Sequence, residues 1–100
     1  MRNIEEIEGG KVVGSAKIRK NRREEGFYIQ DLSVDENQRR RGIATRLLKK
    51  IREMITGTIS LEVDETNEAA VSLYNQNGFV IEETVNAKNG KNYLRMKNKN

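Results

Sequence analysis

The period of the hydrophobic pattern changes once in the middle of the chain, and this change restricts the fold more than any other feature. From Ile43 to Ile55, large apolar residues recur at steps of four, which predicts an amphipathic helix with one buried stripe. Gly57 predicts the end of that helix. From Thr58 to Val63, apolar and polar residues alternate, which predicts a strand with one buried face. A helix followed directly by a strand is typical of an α/β arrangement.

The remaining segments predict further strands and a second helix. The strands are expected at Arg2–Glu8, Lys11–Lys20, Phe27–Val34, Phe79–Val85 and Lys91–Met96, with turns at Gly9-Gly10 and Asn89-Gly90. Thr66 or Asn67 can cap a second helix that runs to about Asn77, where Gly78 is suited to the C-terminal cap. The residues of this helix expected to face inward are Ala70, Val71, Leu73 and Tyr74.

The third of these strands, Phe27–Val34, is apolar on both faces. Regular alternation would place Tyr28, Leu32 and Val34 on one face, and Phe27 and Ile29 on the other. A strand that is apolar on both faces is usually central in its sheet. The two later crossovers each contain a helix, which favours at least one parallel strand pair.

Composition excludes several kinds of chemistry. The 100 residues contain no Cys and no His, which excludes disulfides, thiolate nucleophiles, serine–histidine triads and the usual zinc sites. We expect one small domain over residues 1–100, with neither a signal peptide nor a transmembrane helix. The composition fits a cytoplasmic protein, and its many Lys, Asn, Ile and Glu residues are compatible with a bacterial one. A net charge of +4 suits an anionic ligand without requiring one.

The segment from Asp35 to Arg41 contains no apolar residue and joins a buried strand to the first helix. Backbone N–H groups at a helix N-terminus lack intrahelical partners, and the helix dipole adds positive charge, so such a place binds phosphate. Gly42 and Ala44 leave room for close approach, and three arginines precede them. The simpler interpretation is an ordinary strand-to-helix loop with solvated arginines.

Two motifs resemble signatures of the GNAT family of N-acetyltransferases. The first, Arg39-x-x-Gly42-x-Ala44, is similar to the acetyl-CoA signature Gln/Arg-x-x-Gly-x-Gly/Ala. The second, from Asn67 to Phe79, is similar to the family pattern Asn-x-x-Ala-x-x-Leu-Tyr-x-x-x-Gly-Phe. The resemblance covers roughly Lys11 to Met96. It implies a minimal version of the acyl-CoA N-acyltransferase fold, an α/β (α+β) fold with a mixed, mostly antiparallel central sheet and helices.

The chain departs from this family in two respects. Typical members have a strand and two helices before the region that begins near Arg2, and those helices cover one side of the substrate cleft. The resemblance therefore implies a short form, whose uncovered sheet is expected to expose apolar surface and to favour a homodimer. In the loop, Arg40 stands where many members have glycine, and Ala44 replaces the commoner glycine.

The resemblance implies acetyl transfer from acetyl-CoA to a primary amine by direct attack, with no covalent enzyme intermediate and no metal. Leu32 and Val34 would pair with the pantetheine arm through their backbone, and the Leu32 N–H would face the thioester carbonyl. Tyr74 would protonate the departing thiolate, and Asn67 would hydrogen-bond the cofactor. The expected cofactor-binding residues are Leu32, Val34, Arg39, Arg40, Arg41, Gly42, Ile43, Ala44, Thr45, Asn67 and Tyr74, of which Leu32 and Tyr74 are also catalytic.

Several of these residues have a purely structural interpretation as well. The side chains of Leu32 and Val34 can belong to the core while their backbone binds a ligand. Asn67 can be a plain helix N-cap, and Tyr74 can pack in the core against Ala70.

The sequence does not determine which group acts as the general base. Tyr28 stands where some family members have glutamate, which leaves Asp31, Glu25, Glu62 or a water relay. The acceptor, a small molecule or a protein amine, is not determined either.

Two other functions compete with acetyl transfer. An acyl-CoA-binding module with little or no transferase activity would not need the Tyr74 hydroxyl. Nucleic-acid binding through Arg22, Arg23 and the arginines of the loop is disfavoured, because acidic residues are interleaved and no aromatic platform is present.

Overall fold

The computed structural model describes residues 2–35 and 42–99. Its elements, in chain order, are β1 Arg2–Glu8, β2 Lys11–Lys20, β3 Phe27–Val34, α1 Ile43–Met54, β4 Thr58–Asp64, α2 Glu68–Gln76, β5 Val80–Asn86 and β6 Asn92–Lys99. All six expected strands and both expected helices are confirmed, with small differences at their ends. The expected site residues Arg39, Arg40 and Arg41 lie outside the described residues.

The strands form one six-stranded sheet in the order β1-β2-β3-β4-β6-β5. Among the described strands, β3 and β4 pair in parallel, and the other neighbouring pairs are antiparallel. The interior position of β3 and the parallel pair are both as expected. The mixed, mostly antiparallel sheet is the predicted fold class.

One hydrophobic core holds the sheet and both helices together. The stripe of α1 is buried at Ile43, Leu47 and Ile51, and Ile55 caps the end of the helix. The inward residues of α2 are half-buried against the same core, which also contains the alternating apolar residues of β4. Both helices therefore lie on one face of the sheet. Burying each large aliphatic side chain stabilises the fold by roughly 1.5–3 kcal/mol. Neither described helix is long and apolar enough to cross a membrane.

A β-bulge in β3 overturns the expected distribution of its side chains. Lys17 of β2 pairs with Asp31, whereas the next residue, Ile18, pairs with Ile29, so Gln30 is an extra residue without a partner. The bulge reverses the alternation along the strand. Ile29, Leu32 and Val34 consequently all pack against the core, together with Phe27. Tyr28 points to the other face, so the expectation that it shares a face with Leu32 and Val34 is wrong.

The face of the sheet without helices is polar at its centre, and the expected exposed apolar surface is limited to its edges. Its central part carries Arg19, Tyr28, Glu62, Arg95 and Lys97. Arg95 forms an ion pair with Glu62, and Lys97 forms ion pairs with Glu24 and Glu82. Exposed large apolar side chains on this face lie toward its two edges, at Ile7, Val12 and Val80, and the other exposed ones are Met54 and Ile81. Ion pairs between side chains of neighbouring strands stabilise the centre of this face in place of apolar packing.

Candidate functional site

The parallel strands β3 and β4 are paired over two residues only, and then separate. The pairing ends at Tyr28 with Ser60, although both strands continue for several residues. On its other side, β3 stays paired with β2, and the Asp35 N–H donates to the Val13 carbonyl at 2.8 Å. Because N–H groups alternate in direction along a strand, those of Leu32 and Val34 face away from β2 and into the gap. The backbone groups expected to pair with a ligand therefore face the gap beside β4.

The N-terminus of α1 presents backbone donors without a side-chain cap. The helix begins after Gly42, which has φ of 75°, and its first backbone hydrogen bond runs from Arg46 to the Gly42 carbonyl at 3.0 Å. The preceding N–H groups, from Ile43 to Thr45, therefore have no intrahelical acceptor. No acidic side chain lies in this first turn, and a Cβ atom at Gly42 would meet nothing within 4 Å. The turn is open to an anion.

A cavity of about 740 Å³ connects the gap, the start of α1 and one side of α2. This volume lies in the range of small-molecule sites. The cavity brings together every expected site residue that the structure describes: Leu32, Val34, Gly42, Ile43, Ala44, Thr45, Asn67 and Tyr74.

Tyr74 has both a structural contact and a place in this cavity. Its ring packs edge-to-face on the buried Phe79, with 5.9 Å between the ring centroids and an angle of 62° between the planes. Burial raises the pKa of the Tyr74 phenol above its ordinary value. The phenol therefore stays protonated at neutral pH and is available as a proton donor. The packing interpretation and the acid interpretation are compatible, because one concerns the ring and the other the hydroxyl.

Asn67 is the N-cap of α2. Its Oδ1 accepts a hydrogen bond from the Ala70 N–H at 3.2 Å, which is the structural role that the sequence allows. Asn67 is also exposed to the cavity, where its amide Nδ2 can donate to a ligand. At the other end of α2, the Gly78 N–H donates to Asn75 and the Phe79 N–H to Tyr74, so Gly78 ends the helix as expected.

The three candidate bases lie in different surroundings. Asp31 and Glu25 are exposed on the surface. Glu62 lies on the polar face, where its Oε2 accepts hydrogen bonds from Arg95 Nη2 at 2.8 Å and Nε at 3.3 Å. The Arg95 guanidinium therefore occupies Oε2 of Glu62 in a charge-assisted pair.

A second cavity, which sequence reasoning missed, lies on the polar face beside the end of the β3–β4 pairing. It has a volume of about 470 Å³, and Tyr28, Ser60, Glu62 and Arg95 form part of its wall. Burial, and secondarily the charge of Glu62, raise the pKa of Tyr28. The alternation of β4 places Ser60 and Glu62 together, but the register that brings Arg95 opposite Glu62 is not visible in the sequence.

The sequence matches the Acetyltransferase (GNAT) family over residues 4–79. N-alpha-acetyltransferase 30 of Xenopus laevis is 46% identical over an alignment of 57 residues that covers 53% of this chain and 21% of that protein. A GNAT-family acetyltransferase structure from Bacillus cereus has a TM-score of 0.89 and 25% identity, and covers 98% of this chain and 70% of its own. A Bacillus anthracis acetyltransferase structure in complex with acetyl coenzyme A has a TM-score of 0.85 and 22% identity, over 94% of this chain and 59% of its own.

The mixed six-stranded sheet with two helices matches the acyl-CoA N-acyltransferase fold, as the similarity to the Bacillus cereus structure shows. The chain belongs to the Acetyltransferase (GNAT) family, as its match over residues 4–79 shows. It spans about a fifth of the length of the frog relative.

Proposed function

We propose that the protein transfers an acetyl group from acetyl-CoA to a primary amine. The observation that carries the proposal is that one cavity is lined both by the uncapped N-terminus of α1 and by the β3 backbone that faces the gap. The first feature suits a pyrophosphate and the second an extended amide-containing arm. Acetyl-CoA combines both groups in one molecule.

The residues present fit this co-substrate. The N–H groups of Gly42, Ile43, Ala44 and Thr45 would hold the pyrophosphate, with Arg39, Arg40 and Arg41 supplying positive charge. Leu32 and Val34 would pair with the pantetheine arm along the gap, and Asn67 would donate to the cofactor from α2. The Leu32 N–H would then hydrogen-bond the thioester carbonyl and stabilise the negative charge that develops on its oxygen.

The reaction is a direct displacement. The neutral acceptor nitrogen attacks the thioester carbonyl carbon and forms the new C–N bond. The C–S bond then breaks, and the thiolate receives the proton of the Tyr74 hydroxyl. Tyr74 is reprotonated with the proton that the acceptor nitrogen loses, carried by solvent. The chain contains no Cys, which fits transfer without a covalent enzyme intermediate.

The acceptor that we favour is the α-amine of a polypeptide. Support comes from the relative named as an N-alpha-acetyltransferase. For the deprotonation step we favour a water relay, since Arg95 engages Glu62, and Asp31 and Glu25 are exposed.

We further propose a single domain over residues 1–100, a homodimer and a cytoplasmic, bacterial protein. Dimer formation through the edge strand β5 is supported by its exposed Val80 and Ile81. A monomer in sedimentation at micromolar concentration would contradict the dimer. The lack of Cys fits the cytoplasm.

Calorimetric titration with acetyl-CoA tests the function, first on the wild type and then on Gly42→Glu. The new carboxylate would repel the pyrophosphate, and we expect affinity to fall by about tenfold or more. Gly57→Glu is the matched control, because Gly57 also has positive φ and open surroundings but lies at the other end of α1. Absence of wild-type binding at millimolar acetyl-CoA would contradict the proposal. Binding without transfer to any amine would favour an acyl-CoA-binding module.

A further inference from the structure

The cavity on the polar face opens beside the point where β3 and β4 separate. Tyr28 and Ser60 form the last paired residues of these strands, and both contribute to the cavity wall. The cavity that we assign to acetyl-CoA lies on the helix side of the same gap. An amine held in the polar-face cavity would therefore approach the gap from the side opposite to the acyl donor.

Charge is unevenly distributed around this second cavity. On the side of β4, β5 and β6, Glu62 and Glu83 share Arg95, and Glu82 pairs with Lys97. On the side of β2 and the following loop, the wall contains Arg19, Arg22, Arg23 and Glu24, of which Glu24 also pairs with Lys97. Within the described part of the chain, no carboxylate forms an ion pair with these three arginines. One side of the cavity thus favours a cation and the other an anion.

The loop that carries two of these arginines is anchored. Asn21 Oδ1 accepts a hydrogen bond from the Arg23 N–H at 2.9 Å, and Asn21 Nδ2 contacts the buried Ser60 Oγ at 3.4 Å. Gly26 closes the loop, with φ of 121°, so near β4 that a Cβ atom would stand 2.3 Å from the Thr58 carbonyl oxygen. A fixed loop loses little conformational entropy when its side chains bind a ligand.

Arg19 is held beside this loop by the ring of Tyr28. Its guanidinium carbon lies 4.4 Å from the ring centroid, in a cation–π contact. Its Nη1 donates to the Lys20 carbonyl at 3.2 Å, and its remaining N–H groups can donate to a ligand. The arginine side of the cavity is therefore partly organised before any ligand arrives.

We propose that this cavity selects acceptor polypeptides with an acidic residue directly after the reacting N-terminal residue. This inference rests on the proposed acetyl transfer. The acceptor amine approaches past Tyr28 and Glu62, and the acidic side chain is bound by Arg22 and Arg23. Charge-assisted hydrogen bonds from guanidinium groups to a carboxylate are stronger than neutral ones, and the reversed charges of a basic peptide would be disfavoured.

Paired peptides that differ only at the second residue, Glu or Gln, test the proposal. We expect wild-type KM for the Glu peptide to be about tenfold lower, with similar kcat. Arg22→Gln combined with Arg23→Gln should remove this difference, and Arg22→Glu combined with Arg23→Glu should favour a Lys peptide. The charge-matched control is Lys49→Gln combined with Lys88→Gln, two exposed positions outside the cavity.

A binding measurement separates this proposal from the transfer activity. Fluorescence anisotropy of labelled peptides, in the presence of coenzyme A, should give about tenfold tighter binding for the Glu peptide, dependent on Arg22 and Arg23. Such binding without acetylation would support the selectivity and contradict the transferase function. Acetylation with equal KM for both peptides would support the transferase function and contradict the selectivity. A Glu preference that persists in the double Arg→Gln variant would overturn the assignment to these arginines.

Discussion

Gly14 of β2 lies directly beneath Ile43 at the start of α1. A Cβ atom at Gly14 would stand 2.8 Å from Ile43 Cγ2 and 2.9 Å from Leu47 Cδ1. Glycine in a strand interior often marks such a close approach of another element. Here it lets the N-terminus of α1 settle onto the sheet beside the end of β3, where the cavity for the acyl donor forms.

Gly14→Ala should destabilise the protein by about 1–3 kcal/mol, because the added methyl group forces α1 away from the sheet. Urea unfolding measures this change. The affinity for acetyl-CoA should fall as well, since the start of α1 would move relative to β3. Ser15→Ala, at the next position of β2, is the control and should change stability by less than about 0.5 kcal/mol. Unchanged stability of Gly14→Ala would contradict this prediction and show that α1 can shift without loss of stability.

Tyr74→Phe should lower kcat by about 100-fold while leaving the fold intact. The phenylalanine ring keeps the packing on Phe79, and only the hydroxyl is lost. Steady-state rates with the best available amine give kcat, and calorimetry should give an unchanged affinity for acetyl-CoA. Tyr93→Phe, on the polar face of β6, serves as the control. A kcat equal to that of the wild type would exclude Tyr74 as the acid.

Asn67 substitutions separate its two roles. Asn67→Ala removes the cap of α2 and should cost about 1 kcal/mol of stability. Asn67→Ser retains a capping oxygen but loses the amide donor. We expect Asn67→Ser to melt near the wild-type temperature and to bind acetyl-CoA about fivefold more weakly. Wild-type affinity in Asn67→Ser would leave Asn67 as a cap alone.

Glu6 predicts a pH-dependent contribution to stability. It is nearly buried under α1, with Lys50 at 2.5 Å and Arg46 at 2.6 Å, and hydrogen bonds from Lys50 and then Arg46 lower its pKa. A lowered pKa means that the unfolded chain binds the proton more readily. The stabilisation is therefore complete above the pKa of the unfolded carboxyl, and is lost as pH falls through the folded value.

Glu6→Gln should accordingly lower the melting temperature at neutral pH, with the difference from wild type shrinking in acid. Thermal unfolding followed from neutral pH to about pH 2 measures this trend. Glu5→Gln is the control, since Glu5 is exposed and points to the other face of β1. A difference that stays constant across the pH range would contradict the charge-based explanation.

Local patterns predicted the elements because their causes are local. Apolar residues at steps of four are enough to orient α1, and Gly78 is suited by its positive φ to end α2. Asn67, one of the two capping candidates, is the N-cap for the same reason, since the hydrogen bond spans only three residues. The polar loop before Gly42, with its arginines, also predicts an anion site at the helix start, and this site stays a prediction.

The polar-face cavity was not predictable in this way. Glu62 and Arg95 are 33 residues apart in the chain, and their contact depends on the register between β4 and β6. The bulge at Gln30 was equally invisible, because a polar residue at an exposed position fits either alternation. Gly14 gave the one available signal of close packing, as an isolated glycine within an apolar strand.

The sequence by itself determined which segments form helices and strands, where these elements end, and where the two motifs lie relative to the helices. These properties depend on residues within a few positions of one another. The tertiary structure alone decided that β3 and β4 separate after Tyr28 and Ser60, that Tyr28 faces away from Leu32, and that two cavities lie on opposite sides of the gap. Those features depend on strand register, which is set by packing between distant parts of the chain.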